Sequence, residues 1–249
     1  MNAPSFSALH LKVACSNCNL RELCLPLGLS LPEVDKLEEL VATRKRIKRG
    51  DSLFRAGDRF ESLYAVRLGF LKSTVVSADG REQVTGFHMA GELVGMDGIS
   101  AEQHSCDTVA LEDTEVCVIP YDRIEEVATS VPALRSHFHK VMSREIVREH
   151  GVMLLLGSMH AEERLAAFLL NLSQRFEARG YSRTEFVLRM TRAEIGSFLG
   201  LKLETVSRIL SRFQSEGMIA VRNREITILE MCALRAVIGR VDTRREIEA

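Results

Sequence analysis

The chain lacks any apolar stretch long enough to cross a bilayer. Its densest run, Val152–Leu156, is far short of the roughly 20 residues a spanning helix needs. A secretory core is missing as well, because Ser, His and Lys interrupt Met1 to Ala14. A cytoplasmic protein is therefore expected, in a compartment that keeps thiols reduced. No large charge of either sign is present: 33 Lys/Arg stand against 34 Asp/Glu, so net charge alone selects no polyanionic partner. The usual enzyme patterns are absent too, with no nucleophile elbow, phosphate-binding loop or His-Glu-x-x-His. His137 and His139 stand two apart, which on a helix sends their rings in separate directions and makes a poor metal pair. No enzymatic activity is expected.

Cysteine is scarce, six in 249 residues, which excludes a disulfide-built scaffold. Three of the six nevertheless crowd together. Cys15, Cys18 and Cys24 have the spacing C-x2-C-x5-C, close enough for their sulfurs to meet on one small object. In a reducing compartment, such clustering points to metal binding or redox chemistry. A fourth ligand would come from Cys106, Cys117 or Cys232. Spacing alone does not choose between tetrahedral zinc and an iron–sulfur cluster, both of which take four thiolates, and three unrelated buried thiols remain an alternative. The radical-enzyme C-x3-C-x2-C and ferredoxin-type runs are not found.

At 249 residues the chain has room for two cores. Residues 1–14 show no period and read as an arm. Ser30, Pro32 and Glu33 form a helix start, followed by Val34, Leu37, Leu40 and Val41 at helical spacing. From about 44 to 120, short apolar segments alternate with glycine turns, and Asp79-Gly80 between β-branched runs is a hairpin signal. That pattern predicts a small antiparallel β barrel or jelly roll. A long helix follows from Pro132 to about Leu156. Its stripe of Leu134, Phe138, Met142, Ile146, Met153 and Leu156 resembles a coiled-coil seam, with Glu149 in the position where an apolar residue is missing. On a two-fold seam that carboxylate would face its own copy, which makes the seam a candidate dimer switch; packing of the helix on its own domain is the alternative.

Farther on, a helix spans residues 161–180. Thr191 and Glu194 make a capping box, Gly200 a turn, and Lys202 to Gln214 a second helix. Val206, Ile209, Leu210 and Phe213 occupy one face of that helix, while Glu204, Ser207, Arg208 and Ser211 occupy the other. This is a helix-turn-helix whose polar face suits base edges, with a β-hairpin wing after it. Protein contact is the competing use of such a fold. Residues 160–229 hold 11 Lys/Arg against 8 Asp/Glu, a weak excess consistent with an anionic partner.

Over essentially its full length the chain resembles the CRP/FNR family of bacterial transcription regulators, and the FNR branch in particular. The resemblance is carried by Cys15/Cys18/Cys24 with Leu25-Pro26, by Gln83–His88, by Ala161–Phe168 and by Glu204–Arg208. It implies an α+β architecture: a cluster-binding arm (1–29), an antiparallel β jelly-roll sensor domain (30–130), a dimerisation helix (131–158) and a winged helix-turn-helix (159–249). It implies a 4Fe–4S cluster on Cys15, Cys18, Cys24 and Cys117, the last chosen by the context Val116-Cys117-Val118-Ile119-Pro120. Further implications are Ile146 as a seam residue, Glu149 as the acid that opposes dimerisation, and Leu23 as a shield of the cluster. Glu204, Ser207 and Arg208 would read a TTGAT inverted repeat, with RNA polymerase as partner. Leu203 stands where the nucleotide-binding branch carries Arg. Gly91-Glu92-Leu93 resembles that branch's phosphate cassette, but the expected Arg-Ser/Thr pair is missing at Cys106–Ala110. A zinc-stabilised or nucleotide-responsive regulator remains the alternative.

Overall fold

The computed structural model describes residues 15, 18, 20, 23, 24, 30–41 and 43–239. The arm at 1–14 and the Leu25-Pro26 motif lie outside the described residues. The chain divides into two units: residues 1–71 with 88–140, and residues 72–87 with 141–249. Among the described residues, no helix is long and apolar enough to cross a membrane.

In the first unit, α1 (Leu31–Leu40) starts where Ser30 donates its backbone N–H to Glu33 Oε2 at 2.8 Å. Two four-stranded sheets follow along the chain, with residues 72–87 counted in the second unit. One has the order β1 (Thr43–Ile47), β8 (Thr114–Pro120), β3 (Ser62–Leu68), β6 (Leu93–Val94). The other has the order β2 (Ser52–Phe54), β7 (Asp107–Ala110), β4 (Phe70–Val76), β5 (Glu82–Met89). β8 pairs antiparallel with β1 on one side and β3 on the other. Seven of the eight strands contribute to one apolar cluster: Ile47, Leu53, Phe54, Val66, Leu71, Val94, Ala110 and Val116, with Cys106 among them. Burial of each such side chain contributes about 1.5–3 kcal/mol. This is the predicted β roll. β1 is a strand that the sequence hides: Lys45 and Arg46 are exposed, Arg44 is half-buried, and Ile47 is buried. Gly69 joins β3 to β4 at φ +92, where a Cβ would lie 2.8 Å from Thr114 Cα. Here glycine is required by both conformation and space.

β8 runs directly into α2 (Tyr121–Ser130), an element the apolar pattern leaves unseen, and Pro132 opens α3 (Pro132–Ser158).

The second unit contains the rest of α3, α4 (Ala161–Glu177), α5 (Arg192–Leu199), α6 (Leu203–Ser215) and α7 (Met231–Ile238). A sheet of order β10 (Ile219–Arg222), β11 (Glu225–Ile228), β9 (Glu185–Val187) forms the wing. The 72–87 hairpin turns at Gly80 (φ +81), as Asp79-Gly80 predicted, with Ser77 N–H donating to Arg81 O at 2.9 Å. Arg164 ties three segments together: its Nε donates to Met159 O (2.9 Å), Nη2 to Leu156 O (2.8 Å) and Nη1 to Leu199 O (3.0 Å). The carbonyls that end α3 and α5 are thereby satisfied by one side chain on α4.

Replacing Arg164 with Met should destabilise the second unit by about 2–4 kcal/mol, since charge-assisted hydrogen bonds to carbonyls would be lost together. Thermal or denaturant melting of the variant checks this. Gly69→Ala should cost a few kcal/mol (on the order of 2–4) in the first unit by strain and clash.

Candidate functional site

Three groups of residues were singled out by the sequence, and each has a definite place. The first is the sulfur group. Cys18 N–H donates to Cys15 O at 3.2 Å, while Leu23 and Cys24 N–H both donate to Leu20 O at 2.9 Å. The first of these bonds turns Cys18 back toward Cys15. Cys117 lies on β8, opposite Arg44 of β1 and Ala65 of β3. All four thiols are partly buried. Burial pushes the Cys15 thiol up to about 12; Cys117, Glu38 and Cys18 add to the rise, and Arg44 opposes it. Burial likewise raises Cys117, where Arg44 pulls down and Cys18 pushes up. Cys15, Cys18 and Cys117 thus lie within electrostatic reach of one another. Among the described residues, no three Cys, His, Asp or Glu side chains stand ready to hold a metal ion.

The donor chemistry fits a thiolate-bound centre in one specific respect. Arg44 Nε is buried without a hydrogen-bond partner, on the strand facing Cys117. An anionic sulfur group would meet a positive charge there. Metal binding also removes the protons that burial otherwise keeps on these thiols. Leu23 packs over Gly91, where a Cβ would lie 2.8 Å from Leu23 Cβ. Arg44, missed as a site residue, carries no local signal because only the β1–β8 register places it.

The cassette-like loop is closed on a carboxylate. Asp97 accepts from Ser105 N–H (2.8 Å) and Cys106 Sγ (3.4 Å), and His104 Nδ1 lies 3.3 Å from it. A phosphate entering there would meet like charge instead of an arginine.

The second group is on α3. Its predicted stripe is divided: Leu134 (1% exposed) and Phe138 (8%) are buried, whereas Ile146 (57%) and Met153 (66%) face outward, joined by Val147 and Leu154. The exposed positions repeat at seven residues, which suits a helix partner, while the buried ones pack within the chain. Glu149 sits between Ile146 and Met153 on that face. Its carboxylate is 3.9 Å from Arg148 Nη2, which lies closer to Glu145, at 2.6 Å.

The third group is the reader helix. Thr191 N–H donates to Glu194 Oε2 at 2.7 Å, and Thr191 Oγ1 accepts from Glu194 N–H at 3.2 Å, starting α5. Burial alone would raise the Glu194 carboxyl, but hydrogen bonds from Thr191 and Lys72 hold it below the ordinary value. α5 ends at Gly200 (φ +63), where Leu201 N–H donates to Gly196 O at 2.8 Å. α6 buries Val206, Ile209, Leu210 and Phe213 and exposes Glu204 and Arg208. Ser207 is half-buried and accepts from Arg192 Nη1 at 3.2 Å. Arg192, fifteen residues away in sequence, was invisible to pattern. The wing tip turns at Asn223 (φ +57) between Arg222 and Arg224.

Known proteins share this arrangement. A model described as the Crp-like helix-turn-helix domain matches residues 163–237, and one described as the cyclic nucleotide-binding domain matches 44–130. The transcriptional regulatory protein Btr of Bordetella pertussis is 50% identical over 225 residues, covering 90% of this chain and 93% of that protein. The transcriptional activator protein Anr of Pseudomonas protegens is 47% identical over 239 residues, covering 96% and 98%. The fumarate and nitrate reduction regulatory protein of Escherichia coli is 45% identical over 227 residues, covering 91% of each. Among solved structures, FixK2 from Bradyrhizobium japonicum is 29% identical with a TM-score of 0.75, covering 82% of this chain and all of that one. By this likeness and its helix-turn-helix, the chain is not an enzyme but a member of the FNR/Anr group of the CRP/FNR family of DNA-binding transcription regulators.

Proposed function

We propose that the protein is an anaerobic regulator of transcription, acting as an activator in the cytoplasm, whose signal is an oxygen-labile 4Fe–4S cluster. Cys15, Cys18, Cys24 and Cys117 are its ligands, and Leu23 limits access to it. When bound, the cluster supplies sensitivity to dioxygen; every other part of the response belongs to the chain. The observation that carries this reading is that Cys15 and Cys18 lie within electrostatic reach of Cys117, which is fixed in a sheet opposite Arg44 and its buried Nε. The likeness to Anr and to the fumarate and nitrate reduction regulator supports it.

Dimerisation is assigned to the exposed part of α3, where Ile146 and Met153 pack against a second copy and Glu149 opposes it. A loaded arm favours pairing, and pairing sets two α6 helices about 34–36 Å apart, one turn of DNA. Arg208 then takes guanine O6/N7, Glu204 accepts from cytosine N4, and Ser207, held by Arg192, completes the reading of a TTGAT inverted repeat. RNA polymerase is the partner at the promoter. Functionally the chain divides into the arm (1–29), sensor (30–130), dimerisation helix (131–158) and reader (159–249).

Protein purified without air should be brown, contain iron and sulfide, and bind a TTGAT inverted repeat as a dimer; air should bleach it and weaken binding. Tetrahedral zinc with air-indifferent binding would overturn the sensor assignment. Cys117→Ala should abolish cluster retention, and Cys106→Ala should leave iron content intact, because Cys106 Sγ is engaged with Asp97 in the core. Glu149→Ala should tighten the dimer in air by on the order of 1 kcal/mol, read by analytical ultracentrifugation, since a like-charge contact is removed.

A further inference from the structure

The β1–β8 register holds a guanidinium that the described residues leave short of a hydrogen-bond acceptor. Arg44 and Cys117 are directly opposite, so both side chains leave the same face of the sheet. Arg44 Nε is buried and, among the described residues, makes no hydrogen bond. Its carboxylate neighbour, Glu115 Oε1, is 3.8 Å away, too far for one. Glu115 is already engaged by Arg67 Nη1 at 2.8 Å and by Arg46 Nε at 3.2 Å. One carboxylate divided among three guanidiniums leaves this face net positive. A buried donor without an acceptor is costly, and the cost is offset when an anion arrives.

We propose that Arg44 is the counter-charge of the thiolate centre, a positioning residue whose guanidinium offers positive charge and a hydrogen-bond donor to the sulfur group and so holds the cluster in its electron-rich form. This rests on the cluster assignment of the preceding section. Net charge and hydrogen bonds to sulfur are established determinants of iron–sulfur reduction potential. Removing the cation lowers the potential and makes the centre easier to oxidise. Removing the negative charge of Glu115 does the reverse, because it competes for the same guanidinium.

The test uses the full chain, reconstituted anaerobically with iron and sulfide. Readouts are iron and sulfide per chain, the midpoint potential in a mediated redox titration and the rate of bleaching in air, with circular dichroism to confirm folding. Arg44→Gln should retain several-fold less iron through gel filtration, bleach several-fold faster and shift the potential down. Arg44→Lys should recover part of each, and Glu115→Gln should shift the potential up and slow bleaching. Wild-type chain that takes up no iron sinks the cluster assignment itself. Wild-type chain that loads normally, with Arg44→Gln matching it in all three readouts, overturns the role of Arg44 alone. Shifts of the same sign in Arg44→Gln and Glu115→Gln would mark a merely structural effect and also overturn it.

Discussion

Pairing of β8 on both of its edges is the constraint from which the rest follows. A strand hydrogen-bonded to β1 on one side and β3 on the other cannot slide without breaking two ladders, and a one-residue slip would turn every side chain to the wrong face. The register therefore fixes Cys117 opposite Arg44 and Ala65, and Val116 in the core. β8 is also the strand that delivers the chain into α2 and then α3. In the proposed function this makes Cys117 the stationary ligand. The other three come from the N-terminal side of the chain, outside the sheet.

Buried and exposed apolar residues are separated along α3. Leu134 and Phe138 are spent on the chain's own interior, while Ile146, Val147, Met153 and Leu154 remain outside. In the proposed function that apolar face gains free energy by meeting a second copy, and the carboxylate in its middle keeps the gain small. Among the described residues, the cation nearest Glu149 is Arg148 Nη2 at 3.9 Å, which lies closer to Glu145. A weakly balanced contact of this kind can be tipped by a modest energy from elsewhere, which a switch requires.

In the second unit, precision is obtained from backbone groups. Arg164 closes the ends of α3 and α5 onto α4, the Thr191–Glu194 pair starts α5, and Gly196 lets Leu201 approach so closely that any Cβ there would lie 2.5 Å from its carbonyl oxygen. α6 is then held by four buried residues, leaving Glu204 and Arg208 exposed on its opposite face. Rigid support behind an exposed polar face is what sequence-specific reading of a groove needs.

Residue order alone determined whatever depends on local periodicity and turn chemistry. The β-rich region, the long helix, the Asp79-Gly80 hairpin, the capping boxes and the two faces of α6 were all legible, because alternation and 3.6-residue spacing are properties of a single segment. Clustered thiols and the misplaced Glu149 could be read for the same reason. Only the tertiary structure decided what depends on pairing distant segments: that a basic run becomes β1, that β9 completes the wing, that Arg192 steadies Ser207, that Leu134 and Phe138 of the α3 stripe are buried, and that Arg44 Nε, among the described residues, lacks a hydrogen bond across from Cys117. Those facts rest on backbone ladders and burial shared between residues far apart in sequence, and no short window of residues encodes them.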